Sequence, residues 1–156
     1  MKILKQTFVI FLFLTTSCQS LKKEDKLSNI NDLVEEVDNR MIKNQRYIEE
    51  AVMKNQISEP SFIVNTFDIR PHNSRNEVQK EVTSRLLPDL THFKNNGYAV
   101  IGEVNFMSVD FQQAKIIITK IAEKYHAEKI LIYGFVDSRF EKYDCDVIFL
   151  FKKKKI

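Results

Sequence analysis

Gly97-Tyr-Ala-Val-Ile-Gly-Glu-Val-Asn-Phe106, Asp110-Phe-Gln-Gln-Ala-Lys-Ile-Ile-Ile-Thr-Lys-Ile-Ala-Glu-Lys-Tyr125 and Lys129-Ile-Leu-Ile-Tyr-Gly-Phe-Val136 follow one another in the last sixty residues of the chain. Together they decide its fold. The first reads as a strand from Tyr98 to Phe106, apolar and β-branched. In the second, Asp110 stands three residues before Gln113, the spacing of a capping box that opens a helix. Phe111, Ala114, Ile117, Ile118, Ile121, Ala122 and Tyr125 then fall on one broad apolar face. The third is a strand with Ile-Leu-Ile-Tyr at its heart, and Asp146 to Lys152 is another. A helix of this length between two strands predicts a right-handed crossover with parallel pairing. The last two strands, joined across Asp137 to Tyr143, predict an antiparallel hairpin.

Working toward the N-terminus, Asn95-Asn96-Gly97 is a turn, because asparagine and glycine tolerate positive φ. Asn76 to Leu87 carries Val78, Val82 and Leu86 four apart, and Pro88 is expected to end that helix. Leu90 and Phe93 extend its apolar face. Phe62-Ile-Val-Asn-Thr-Phe-Asp-Ile69 is a strand stopped by Pro71. Before it lies an apolar stripe at Leu27, Ile30, Val34, Val37, Met41, Ile48 and Val52, which predicts one amphipathic helix over 28–57, capped by Ser28 or Asn31 and about 45 Å long. Asn44 interrupts the stripe, as a polar residue at a seam position does when it fixes register. Such a helix lies across its own domain or forms a seam for a protein partner or a second copy. The expected class is α+β: a long N-terminal helix over 28–57, then a small mixed sheet over 61–153 with a strand–helix–strand crossover and a C-terminal β-hairpin.

The 156 residues suit one domain, and a composition 44% apolar and 29% charged argues against wholesale disorder. Net charge is +3 from 24 basic and 21 acidic residues. Two of those lysines, Lys2 and Lys5, fall in the segment expected to be removed, so 22 basic residues face the same 21 acids. That near-balance gives no support to nucleic-acid binding, which needs a concentrated basic face.

At the start, Met1 to Lys5 form a short positive region, followed by Phe8-Val-Ile-Phe-Leu-Phe-Leu14 and Thr15-Thr16-Ser17-Cys18. A spanning helix needs roughly 20 apolar residues; this short run fits an export signal instead. The pattern resembles the lipobox of bacterial lipoproteins, with residues 1–17 removed and Cys18 the first mature residue. Leucine usually stands three before the cysteine; here Thr15 holds that place and Leu14 precedes it. The resemblance implies lipidation of Cys18 with chains such as palmitate, and Gln19 after it, by the same analogy, implies the outer membrane, on its periplasmic or its surface side. Cleavage by the ordinary signal peptidase with Cys18 unmodified is the alternative. Residues 18–27 then read as the lipidated cysteine and a polar tether. With Cys18 acylated, Cys145 has no disulfide partner.

The Gly97–Phe106 strand, the amphipathic helix ending at His126-Ala127, the Ile130-Leu-Ile-Tyr133 strand, and Tyr143 with Val147 to Lys152 resemble a group of small bacterial envelope lipoproteins of unknown function. The likeness covers roughly Leu86 to Lys153. That group commonly has a small hydroxyl residue where Val104 stands, so no role for a hydroxyl carries over. Stress-sensing outer-membrane lipoproteins share a looser strand–helix–strand core but are disulfide-rich.

Candidate chemistry is sparse. His72, His92 and His126 lie in unrelated segments without the close spacing of zinc ligands. In Asp144-Cys145-Asp146, strand alternation puts both aspartates on one face and Cys145 on the other. The pair could hold a cation or raise one another's pKa, and it disfavours a thiolate at Cys145. Gly102 and Gly134 stand alone inside strands, which points to close packing or a bulge. Lys152 to Lys155 is either a solvated, strand-ending run or a contact with phospholipid. The expectation is a lipid-anchored envelope protein without cofactor, metal or catalysis, which binds a protein partner or supports envelope structure. A stress-signalling role is the alternative, and a hydrolase is the lesser one.

Overall fold

A computed structural model describes residues 29–54, 59–69, 75–137 and 142–154. The leader, Cys18, the tether, Ser28, residues 55–57, Pro71, His72 and Lys155 lie outside the described residues. Among the described residues the architecture is α+β, with four helices and a mixed five-stranded sheet. In chain order the elements are α1 (29–40), β1 (Ile42–Lys43), α2 (Gln45–Lys54), β2 (Ser61–Ile69), α3 (Arg75–Asn95), β3 (Tyr98–Ser108), α4 (Phe111–Lys124), β4 (Lys129–Asp137) and β5 (Lys142–Lys152).

Within the described residues the segment expected as one helix is two helices, broken at Met41. Ile42 and Lys43 pair antiparallel with Glu103 and Gly102 of β3, and the Asn44 N–H donates to the Ile101 carbonyl at 2.8 Å. Asn44 then begins α2, its carbonyl accepting from Ile48 at 3.0 Å. The residue expected to fix a seam register is therefore the cap of a second helix. The break leaves most of the stripe in one core, since Val37, Met41 and Ile48 are buried there, but beyond it Ala51 takes the buried place and Val52 stands 43% exposed. The stripe lies across its own sheet.

The sheet order is β1-β3-β5-β4-β2. β5 runs antiparallel to both β3 and β4, so those two point the same way without touching, and β5 fills the gap between them. Direct pairing of β3 with β4 across α4, as the crossover rule predicts, is thus corrected. The reason lies in β5 itself. Val147 to Phe151 are buried without interruption, so both faces of this strand need cover, which only a central place supplies. The hairpin from β4 to β5 forms as expected, but its strands extend to Asp137 and Lys142, so Asp144-Cys145-Asp146 lies inside β5. β2 joins the far side of β4 in parallel.

Two cores flank this sheet. On one face α1, α2 and α4 pack on Ile130, Ile132, Cys145, Val147 and Phe149. The α4 face is as read, with Ala114, Ile117, Ile118, Ile121 and Ala122 buried. Its cap also forms: the Asp110 carboxylate accepts from the Gln113 N–H at 2.7 Å, and the Gln113 side chain reaches back to the Val109 N–H at 3.1 Å. On the other face α3 packs alone, through Val82, Leu86, Leu90 and Phe93, on Leu131, Tyr133, Phe135, Ile148 and Leu150. Pro88 lies inside α3 rather than at its end. Proline in a helix interior costs about 3 kcal/mol. Three anchors beyond it offset that cost: Leu90 and Phe93 in the core, and Asp89, which accepts from the buried Tyr133 hydroxyl at 2.7 Å.

Both turns that follow α3 and α4 use positive φ, at Gly97 (83°) and His126 (54°). Glycine meets this demand without strain, whereas His126 carries a Cβ into it. The His126 Nδ1 is also shielded from solvent with no hydrogen-bond partner among the described residues. His126→Gly is expected to stabilise the fold by about 1 kcal/mol. Thermal unfolding followed by circular dichroism checks it: the midpoint rises by a few degrees, and an unchanged or lowered midpoint rejects it.

Candidate functional site

Because β1 is only two residues long and α3 crosses the other half of the sheet, one part of the α3 face stays open. A cleft of about 300 Å³ lies there between α3 and the β1–β3 edge. Its floor is apolar, with Val82 and Leu86 from α3 and Ile148 from β5; its rim carries Arg40, Glu103, Asn105 and Asp146. The volume is at the low end of ligand-binding pockets. Ile42 and Met107 stand 69% and 63% exposed, large apolar side chains left without cover.

The polar wall follows from strand alternation. A register shift between Val100 and Gly102 turns Glu103, Asn105 and Met107 outward while Val104 and Phe106 face the core. Asn105 lies opposite Asp146 across the β3–β5 ladder, and its Nδ2 donates to Asp144 at 3.0 Å and to Asp146 at 3.1 Å. One amide thus holds two carboxylates side by side. Burial first, then the charges of Asp144 and Glu103, push the Asp146 carboxyl above its ordinary value, against the pull of the Asn105 hydrogen bond. Arg40 closes the edge, its Nη2 donating to the Asn105 carbonyl at 3.0 Å. That contact covers a main-chain acceptor that β1 is too short to reach.

Cys145 sits on the opposite face, fully buried, with Sγ 3.6 Å from the Phe106 carbonyl. Burial, then the charges of Asp144 and Asp146, raise its thiol well above the usual range, so it stays protonated at neutral pH. The structure therefore separates Asp144-Cys145-Asp146 as read: two carboxylates on the outward face, of which Asp146 lines the cleft, and one thiol in the core. Among the described residues no group of three or more His, Cys, Asp or Glu residues is placed to hold a metal ion. His92 and His126 are not brought together with Asp144 and Asp146; His92 pairs with Asn96 at the end of α3.

Both strand glycines are places of close approach. A Cβ on Gly102 would lie 2.7 Å from the Met41 sulfur, and one on Gly134 would lie 1.7 Å from the Tyr143 hydroxyl oxygen. Sequence reading missed Asn105 and Arg40. The signal for Asn105 is weak but present: an amide at an outward position of a strand, on the same side as a carboxylate.

No protein-family model, curated protein or solved structure matches this chain. No helix among the described residues is long and apolar enough to cross a membrane.

Proposed function

We propose that this chain is exported, cut before Cys18 and held by acyl chains on that cysteine in a bacterial envelope, at the outer membrane. There it works without catalysis by gripping a protein partner in the cleft between α3 and β3. The anchor is supported by the residues themselves: a positive start, a short apolar run and small residues ending at Cys18. Each buried methylene contributes about 0.8 kcal/mol, so two or three chains make attachment effectively permanent. Growth with a labelled fatty acid tests it. Label is expected in the native protein and not in Cys18→Ala, and a native protein as unlabelled as the variant rejects it.

The binding half is carried by one observation: carboxylates from β3 and β5 stand over an apolar floor beside exposed Ile42 and Met107. That combination suits a lysine or arginine flanked by apolar residues. The stripe of α1 and α2 is taken up by the core, which leaves the cleft as the better docking surface.

A short peptide alternating lysine and leucine is the probe, titrated calorimetrically into residues 18–156 carrying Cys18→Ser. Glu103→Gln with Asp146→Asn is expected to weaken its binding about ten-fold, the scale of two rim charges. Binding should also weaken as pH falls, starting above the ordinary aspartate range, because the Asp146 carboxyl is raised above its ordinary value. A peptide that does not bind, or binds both proteins alike, removes the cleft as the docking site.

A further inference from the structure

The strand ends differ in charge. Glu103 stands midway along β3, and Asp144 and Asp146 lie toward one end of the strands, where Lys142 opens β5. At the other, Lys94 closes α3, Lys129 opens β4, Lys152 closes β5, and Lys153 and Lys154 follow. Pairing brings these positions together: Tyr98 is opposite Lys152, Lys129 opposite Leu150, and the Lys153 N–H donates to the Gly97 carbonyl at 2.9 Å. The ammonium groups of Lys129 and Lys152 stand 5.9 and 5.6 Å from the centre of the same Tyr98 ring, and that of Lys153 stands 5.9 Å from Tyr47. Of the acids at this end, Glu128 is engaged by Lys54 and by the Lys152 N–H, and Glu59, two residues before β2, is exposed. Lys94, Lys152, Lys153 and Lys154 are exposed.

We infer that this basic end lies against an anionic phospholipid surface and turns the cleft away from it. Charge complementarity selects the occupant. Exposed ammonium groups spread across several strand ends offer no enclosed pocket for one small anion, but they match an array of phosphates in a plane. Tyrosine rings beneath lysine heads suit the same boundary, with an apolar body and a polar tip. The cleft residue Asn105 is seven positions along β3 from Tyr98, roughly 20 Å. A chain seated this way presents the cleft to a partner rather than to lipid.

The inference rests on the anchored reading for bringing a membrane near, and its test keeps the two apart. Residues 18–156 with Cys18→Ser, which take no acyl chain, are sedimented with phosphatidylglycerol-containing vesicles and with pure phosphatidylcholine vesicles. Binding is expected only to the anionic vesicles and is lost as salt is raised. Each lysine contributes about five-fold. Replacing Lys94, Lys152, Lys153 and Lys154 together by glutamine therefore takes binding below detection, with the thermal midpoint unchanged. Replacing Lys80, Lys115, Lys120 and Lys142 by glutamine, an equal change in net charge elsewhere, leaves most of it. Equal binding to both vesicle types, or equal loss in the two variants, overturns the inference, and so does full competition by single-stranded nucleic acid of matched charge. A native protein without acyl label, by contrast, removes the anchor and leaves this result standing.

Discussion

Gly134→Ala is expected to destabilise the protein by about 3 kcal/mol, the upper range for adding a group to a filled core. The added carbon would lie 1.7 Å from the Tyr143 hydroxyl oxygen, 2.0 Å from Cζ and 2.6 Å from Cε2. Tyr143 lies across Gly134 from the adjacent strand, is 4% exposed, and meets the Phe111 ring edge-on at 5.5 Å. The ring cannot bend away; it must swing as a body and give up Phe111 and the α4 side of the core. Gly102 makes the contrast. Its nearest neighbour is the Met41 thioether, an unbranched chain that can turn aside, so Gly102→Ala should cost less than half as much. Denaturant unfolding of Gly134→Ala, Tyr143→Ala and the double variant checks the cause. With the ring removed, the alanine should cost little, giving a coupling of about 2 kcal/mol or more. Additive losses would mean the clash is not what destabilises Gly134→Ala.

These two glycines show what the sequence makes legible and what it does not. That each needs close approach follows from an isolated glycine in a strand pattern; which atom approaches does not, because Met41 and Tyr143 arrive from other elements. The same division runs through the fold. α4 is readable to the residue because its cap, its stripe and its end all lie within the helix. The break at Met41 is invisible because the apolar phase continues through it, and only the pairing of Ile42 and Lys43 with β3, sixty residues away, decides it. Pro88 misleads for the same reason, since the contacts that carry α3 past it come from the sheet. The place of β5 was available: a run of five apolar residues with no polar alternation marks a strand covered on both faces. Sequential neighbours tend to pair, and that tendency points instead to β3 beside β4. The separation of Cys145 from its flanking aspartates was legible from alternation alone, whereas the cleft that Asp146 helps to line was not. It needs Arg40, Asn105 and Asp146 from three elements.

Asp38→Ala is expected to cost about 2–3 kcal/mol, the scale for removing one partner of a buried, hydrogen-bonded charge whose other partners can still reach water. Asp38 is 6% exposed on α1. Its carboxylate accepts from Lys124 Nζ at 2.7 Å and from the Tyr125 hydroxyl at 2.7 Å, both at the end of α4, and pairs with Lys43 Nζ of β1 at 3.1 Å. One carboxylate thus ties three elements that hydrophobic packing alone would leave free to slide. Lys124 is 57% exposed, so water screens its share, and Lys124→Ala should cost under about 1 kcal/mol. Burial pushes the Asp38 carboxyl up, but the hydrogen bonds from Lys124, Tyr125 and Lys43 outweigh it, and the net shift is downward. A folded pKa below the unfolded one gives stability that is full above the ordinary aspartate value near 4 and is lost as pH falls through the lowered value. Asp38→Asn should therefore lie furthest below the native protein at neutral pH, and the gap should close in acid. At the alkaline side the sign reverses. The hydrogen bond to Asp38 raises Lys124, so that contribution is full below the ordinary lysine value and lost as pH rises through the folded one. Thermal midpoints of the native and Asp38→Asn proteins, measured from acid to alkaline pH, should differ by on the order of 10 °C in between. A gap that stays constant into acid would assign the loss to packing and not to the charge.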